Sequence, residues 1–201
     1  MTEFEITSLP EPLFWKNRPL DWQLQADDTL IIEAGPATDW FADPAGRPAK
    51  DNAPVALFIP PDENFTLSAK VLVDFASTFD AGVLQVRASD SLWGKLCFEY
   101  SPQEQPMIVS VVTHGLSDDC NSRTIEWNEI HLRVARLGEA FAFHYSFDGR
   151  FWHMVRHFTL GPLSNLQVGF SSQSPTGQAC QTIFSEIEYR ASRLNDIRSG
   201  E

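Results

Sequence analysis

Residues 65–75, FTLSAKVLVDF, place Phe65, Leu67, Ala69, Val71, Val73 and Phe75 at alternate positions, with Thr66, Ser68, Lys70 and Asp74 between them. Successive side chains of a strand point to opposite faces, so this segment satisfies its own pattern as a half-buried antiparallel strand. The rest of the chain carries short apolar runs at 30–34, 55–59, 130–137, 141–147, 151–158, 166–170 and 182–189. Turn-forming residues separate them: Asp27-Asp28, Pro60-Pro61, Gly138-Glu139 and Asp148-Gly149, the last being the strongest hairpin signal. No segment sustains a 3.6-residue period. The pattern predicts an all-β chain, a two-sheet antiparallel β-sandwich or jelly roll.

The centre of that sheet system is 79–113, FDAGVLQVRASDSLWGKLCFEYSPQEQPMIVSVVT, which reads as a three-stranded meander. Gln85 and Arg87 alternate with Leu84 and Val86, and Lys95 and Glu99 alternate with Leu96, Phe98 and Tyr100. Alternation therefore gathers Arg87, Lys95 and Glu99 on one face while the other feeds the core. Two polar stretches are predicted as loops: 37–54, with three prolines and a glycine around Asp39, Trp40, Phe41 and Asp43, and 114–122, HGLSDDCNS. With 201 residues, one domain over 1–201 is expected, its core at about 14–190 and its tails 1–12 and 192–201 mobile.

The formal charge of −12 repels phosphate backbones and anionic lipid, so nucleic acid and membrane surfaces are poor partners. The start, MTEFEITSLPEP, lacks the basic-then-apolar layout of a signal peptide. No apolar run approaches the roughly 20 residues of a membrane-spanning helix. Cys97, Cys120 and Cys180 are odd in number and have no zinc-type spacing. These features predict a cytoplasmic protein with reduced thiols.

Taken in order, FDAGVLQVR, WGKLCFEY, SVVTHGLSDD, YSFDGRFWHMVR and SPTGQACQTIFSEIEY, with TDWF and FWKNRP upstream, resemble domain of unknown function family 1349, concanavalin A-like proteins that include the fungal "regulation of enolase" proteins. The resemblance spans about 14–189 and implies a concanavalin A-like jelly roll; it implies no activity. Family members often carry a tryptophan after the serine-aspartate of the later loop, where this chain has Asp119 after Ser117-Asp118.

Glucanases of this fold carry two glutamates and a middle aspartate on one strand, with the working pair roughly 5 Å apart. Glu186 and Glu188 share a predicted face but lack the other acid. Glu99, read beside Arg87 and Lys95, is expected to have a lowered pKa. There is no GxSxG elbow. The five histidines have no zinc-ligand arrangement, and Asp118-Asp119 or Asp39 and Asp43 lack the spacing of a calcium loop. No catalytic residue, metal or cofactor is assigned. The candidate ligand-binding set is Asp39, Trp40, Gln85, Arg87, Trp93, Lys95, Glu99 and His144, with His131, Arg133 and Tyr145 beside it. Polar groups would bond sugar hydroxyls, and Trp40, Trp93 and Tyr145 would cover apolar sugar faces. The competing reading makes Arg87–Glu99–Lys95 a salt-bridge network that stiffens the sheet, with Trp40 and Phe41 folded back as a lid. The expected function is binding of a small polar ligand such as a carbohydrate on a concave face. The alternatives are a protein partner, in a module regulating a metabolic enzyme, and a carbohydrate-active hydrolase with an unrecognised acid pair.

Overall fold

The computed structural model describes residues 3–201. In chain order its strands are β1 (Glu3–Phe4), β2 (Leu13–Lys16), β3 (Asp21–Leu24), β4 (Leu30–Ala34), β5 (Trp40–Phe41), β6 (Lys50–Asp51), β7 (Val55–Phe58), β8 (Asn64–Val73) and β9 (Ala81–Arg87). There follow β10 (Leu92–Tyr100), β11 (Pro106–His114), β12 (Leu116–Thr124), β13 (Glu129–Leu137), β14 (Ala140–Ser146), β15 (His153–Thr159), β16 (Gln167–Gln173) and β17 (Cys180–Arg190). They form an eight-stranded sheet, β1-β2-β7-β16-β9-β10-β11-β12, and a seven-stranded sheet, β15-β14-β13-β8-β17-β4-β3. All pairings are antiparallel, and the architecture is the two-sheet jelly-roll sandwich that the alternation predicted. No helix among the described residues is long and apolar enough to cross a membrane.

The core lies between the sheets. β8 contributes Phe65, Leu67, Ala69, Val71 and Val73, all buried, against Leu84, Val86, Leu96, Phe98, Val168 and Phe170 of the other sheet. Gly82 lets the layers close at one end. A Cβ there would stand 2.6 Å from both Thr182 Cγ2 and Val71 Cγ1, far inside van der Waals contact.

One expectation changes. Most of 114–122, expected as a loop, lies in the edge strand β12, paired with β11 from Met107–Thr124 to His114–Leu116. The segment 192–201 lies against the outer face of the seven-stranded sheet. There Ile197 O meets His144 Nε2 at 2.7 Å, and Gly200 O accepts from Arg133 Nη2 at 2.9 Å. At the other end, residues 1 and 2 of the tail expected to be mobile lie outside the described residues, while β1 pairs with β2 through Glu3–Phe14 and Phe4–Leu13. The 37–54 loop crosses from the seven-stranded sheet to the outer face of the eight-stranded one and folds there into the β5-β6 hairpin. It covers that face, so β9 is buried on both sides instead of alternating.

Candidate functional site

Register assigns the outer face of the eight-stranded sheet. Trp93 opposes Arg87, Lys95 opposes Gln85, and Glu99 opposes Ala81, while Val111 lies between Lys95 and Asp119. Above Lys95 and Glu99 is a cavity of about 320 Å³, whose lining includes Asp39, Phe41, Lys50, Phe79, Asp119 and Gln173.

Lys95 is its anchor. The side chain is almost fully buried, and its Nζ donates to Asp39 Oδ1 and to Gln173 Oε1, each at 2.9 Å. Burial pulls the ammonium pKa down, but the facing Asp39 carboxylate, with Cys97 and Glu99 adding to it, holds the group above its ordinary value. Asp39 is placed by its loop: its N–H donates to Asn52 Oδ1 at 3.0 Å, and its Oδ1 also accepts from Trp40 N at 2.7 Å. The Gln173 Nε2 donates to Phe79 O at 3.2 Å.

Phe79 is held unusually. Its φ is 71°, the left-handed region that costs a bulky residue about 1–3 kcal/mol. The next residue fixes it there: Asp80, fully buried, accepts from Ala76 N, Ser77 N and Ser174 Oγ at 3.1, 2.7 and 2.8 Å. Phe79 is 37% exposed and lines the cavity. Strained backbone of this kind concentrates at ligand clamps.

Glu99 has no hydrogen-bond or ion-pair partner among the described residues. It is half-buried, and its side chain lines the cavity. Burial pushes its pKa up to about 8, Lys95 opposes this, and Asp39 and Asp119 add to it. This corrects the expected lowering. Lys95 points its charge at Asp39, so Glu99 is the carboxyl left without a counter-ion. Cys97, between Lys95 and Glu99 on the same face, has its thiol pKa driven far up by burial and is inert as a nucleophile.

Of the expected set, the structure brings Asp39, Lys95 and Glu99 to one cavity. Gln85 sits beside Lys95 but is fully buried beneath the covering loop, and neither side-chain amide atom has a partner. Trp40, Trp93 and Arg87 fill the far end of the face. The two indoles meet edge-on at 6.1 Å, Trp40 Nε1 donates to Ala53 O at 2.9 Å, and the Arg87 guanidinium lies over the Trp40 ring at 5.2 Å while pairing with Asp90. Trp40 is therefore the lid, and the expected Arg87–Glu99–Lys95 network does not form. His144 and Arg133 are opposite each other on β14 and β13, on the outer face of the other sheet beneath 192–201. Tyr145 turns to the core and stacks on His153 at 4.9 Å.

Sequence reasoning missed Phe41, Lys50, Phe79, Asp119 and Gln173 as lining residues. The bend at 80–82 marked Phe79, and the loop composition marked Phe41 and Lys50; Gln173 had no signal. Among the described residues no group of three His, Cys, Asp or Glu is placed to hold a metal ion.

An antiparallel sandwich with a lid-covered outer face and a polar cavity beneath the lid defines a two-sheet jelly-roll domain. The chain belongs to the family described as Protein of unknown function (DUF1349), whose model matches residues 15–192. A functionally unknown protein from Saccharomyces cerevisiae is 23% identical with a TM-score of 0.81, over 95% of this chain and 100% of that one. The GH43 protein BlXynB from Bacillus licheniformis is 18% identical with a TM-score of 0.70, over 87% of this chain and 36% of that one. A xylan beta-1,4-xylosidase from Bacillus halodurans C-125 is 10% identical with a TM-score of 0.64, over 94% of this chain and 41% of that one. This chain thus spans well under half of either hydrolase, and at these identities the likeness is one of fold. A search of curated proteins gives no match.

Proposed function

We propose that the cavity on the outer face of the eight-stranded sheet binds a small polar ligand of the carbohydrate class. The observation that carries this reading is the Lys95–Asp39–Gln173 network set beside an unpaired Glu99 at the floor of an open cavity. Sugar hydroxyls need donors and acceptors at close spacing, which Lys95, Glu99 and the free Asp39 oxygen supply. Phe41 and Phe79, both lining the cavity, replace the tryptophans expected to cover the apolar sugar face. The residues are binding groups in this reading, with no catalytic role.

Thermal-shift and calorimetric titration with a panel of mono- and disaccharides tests it. At least one sugar should raise the melting temperature of the native chain and lose that effect in Lys95→Ala. A panel without any shift removes the reading.

A second reading, an interaction module for another protein, has one observation in its favour. Trp127, Phe147 and Phe151 are 59%, 46% and 65% exposed at one end of the sandwich. The tight turn that presents the phenylalanines is pinned by Asp148, whose Oδ1 accepts from Arg150 N and Phe151 N at 2.9 and 2.8 Å. Rigidly displayed aromatics of this sort act as interface anchors. Trp127→Ala should then abolish capture of the partner without affecting sugar binding. The reading extends to a reducing cytoplasmic compartment, with Cys97 and Cys180 buried and Cys120 exposed as free thiols.

A further inference from the structure

The outer face of the seven-stranded sheet hides a second group of polar side chains, away from the cavity. Arg133 on β13 and His144 on β14 oppose each other in register, 7% and 0% exposed. Residues 196–201 lie over them as a strap. Arg133 Nη2 donates to Gly200 O at 2.9 Å, and the guanidinium lies over the Trp152 ring at 4.1 Å. His144 Nε2 donates to Ile197 O at 2.7 Å. Arg133 Nε and His144 Nδ1 are left buried with no partner among the described residues.

We infer that Arg133 anchors a second binding site, for a carboxylate on an apolar body, and that the 196–201 strap occupies this site in the free chain and gives way to the carboxylate.

Three observations carry it. The first is the shape of the donor. Nε–H and Nη2–H run parallel along one edge of a guanidinium, the edge that a carboxylate grips with two bonds at once. The strap meets that edge with a single carbonyl, which satisfies Nη2 and leaves Nε without a partner. The second is charge. No carboxylate acts on Arg133, whose pKa is pulled down to about 10 by burial and then by the neighbouring Arg190 guanidinium. Glu188, in register with Arg133 through Ser68, is bonded to Arg190 at 2.8 Å. In a chain with 27 acidic residues, this buried cation is left without one. A counter-ion supplied from outside would recover the cost of burying it. The third is how the strap is held. Its hydrogen bonds to the sheet, among the described residues, are those to Arg133 and His144, while Gly200 N and Glu201 N turn back to Asp196 O at 2.9 and 3.1 Å. Gly200 has a φ of 77°, and a Cβ there would lie 2.4 Å from Arg133 Nη2 and 2.7 Å from Trp152 Cβ. The strap thus reaches the guanidinium only where it has no side chain.

The body of such a ligand has a place to lie. Beside the strap is a shallow hollow of about 410 Å³, lined by Phe151, Trp152 and Met154 together with Arg198 and Ser199 of the strap. Trp152 joins the two features, since it stacks on Arg133 and also lines the hollow. One charge beside aromatic surface suits an aromatic monocarboxylate. A phosphate dianion is repelled more strongly by a chain of net charge −12.

Nuclear magnetic resonance of the full, nitrogen-labelled chain, titrated at constant ionic strength with sodium benzoate, benzamide and inorganic phosphate, tests this. With benzoate the Arg133 Nε–H signal should move downfield as its missing bond forms, and the amides of 196–201 should exchange faster with solvent. Benzamide has the same size and a single carbonyl, and should bind about tenfold more weakly. Gly200→Ala loosens the strap without altering the sheet, and should strengthen benzoate binding about tenfold. Arg133→Lys keeps the charge and loses the paired edge, so it should bind benzoate no better than benzamide. If benzoate and benzamide act alike in both the native chain and Gly200→Ala, the inference is overturned and Arg133 is a latch for the strap alone. Phosphate binding as tight as benzoate overturns the carboxylate assignment. A shifted Nε–H signal with unchanged exchange across 196–201 overturns displacement of the strap.

Discussion

Lys95 and Glu99 lie four residues apart on one face of one strand, yet Lys95 turns its ammonium to Asp39, on a loop 56 residues earlier, and leaves Glu99 unpaired. The covering loop makes this possible. It brings a carboxylate over the sheet that can meet Lys95 head-on. One carboxyl is therefore bonded to a counter-ion, and burial raises the pKa of the other to about 8. A stiffening salt bridge would have matched both.

Breaking the bonded half should cost stability. Lys95→Ala leaves Asp39 and Gln173 without their shared partner. A buried pair broken from one side costs roughly 3–5 kcal/mol. The 17% exposure of the Asp39 side chain lets water return, and a loss of about 2–3 kcal/mol is expected in urea unfolding. Lys95→Met, which keeps the packing, should lose a similar amount.

The unpaired half should make stability depend on pH. Glu99 has a folded pKa raised from 4.5 to about 8, so the folded chain holds a proton that the unfolded chain releases. Its contribution is complete below 4.5 and declines as pH rises to about 8. Glu99→Gln should flatten that decline in melting temperature. An unchanged slope would place the carboxyl in a wetter setting than its surroundings suggest.

His144 should act in the opposite direction. Burial, with Arg133 alongside, lowers its pKa from 6.5 to about 4, although its bond to Ile197 O opposes the shift. The folded chain therefore excludes a proton that the unfolded chain takes up. The stabilisation is present above 6.5 and is lost as pH falls towards about 4. At about 1.4 kcal/mol per unit the loss is of order 3 kcal/mol. Amide exchange in 196–201 should accelerate over this range, and His144→Gln should remove the effect.

Phe79 should separate stability from binding. Phe79→Gly relieves the left-handed φ, worth roughly 1–2 kcal/mol, and offsets part of the packing lost with a residue that is 37% exposed. The variant should melt closer to the native chain than Phe79→Ala does, while both bind sugar more weakly.

Much of the fold was legible because a half-buried strand writes its inward face into every second residue, as 65–75 do. The 116–124 strand was missed for the same reason. It is an edge strand whose side chains are exposed on both faces except at Ser117, so it has no alternation to read. Alternation also gives the face of a strand without saying which sheet owns it. Arg133 and His144 follow the same odd-even logic as Lys95, but the chain changes sheets after β12, and they arrive on the far side of the sandwich. The pKa of Glu99 was misjudged because sequence counts charges without aiming them. The direction of the Lys95 side chain depends on a loop contact 56 residues away.

The Trp40–Trp93 pair has one more consequence. With Trp40 and Trp93 only 1% and 3% exposed and Arg87 tucked against them, the outer face is plugged at that end. The cavity is thus a cul-de-sac instead of a trough. A long chain cannot thread along the full length of β10, so under the proposed binding reading the ligand is a free monomer or the end of an oligomer and not the interior of a polymer.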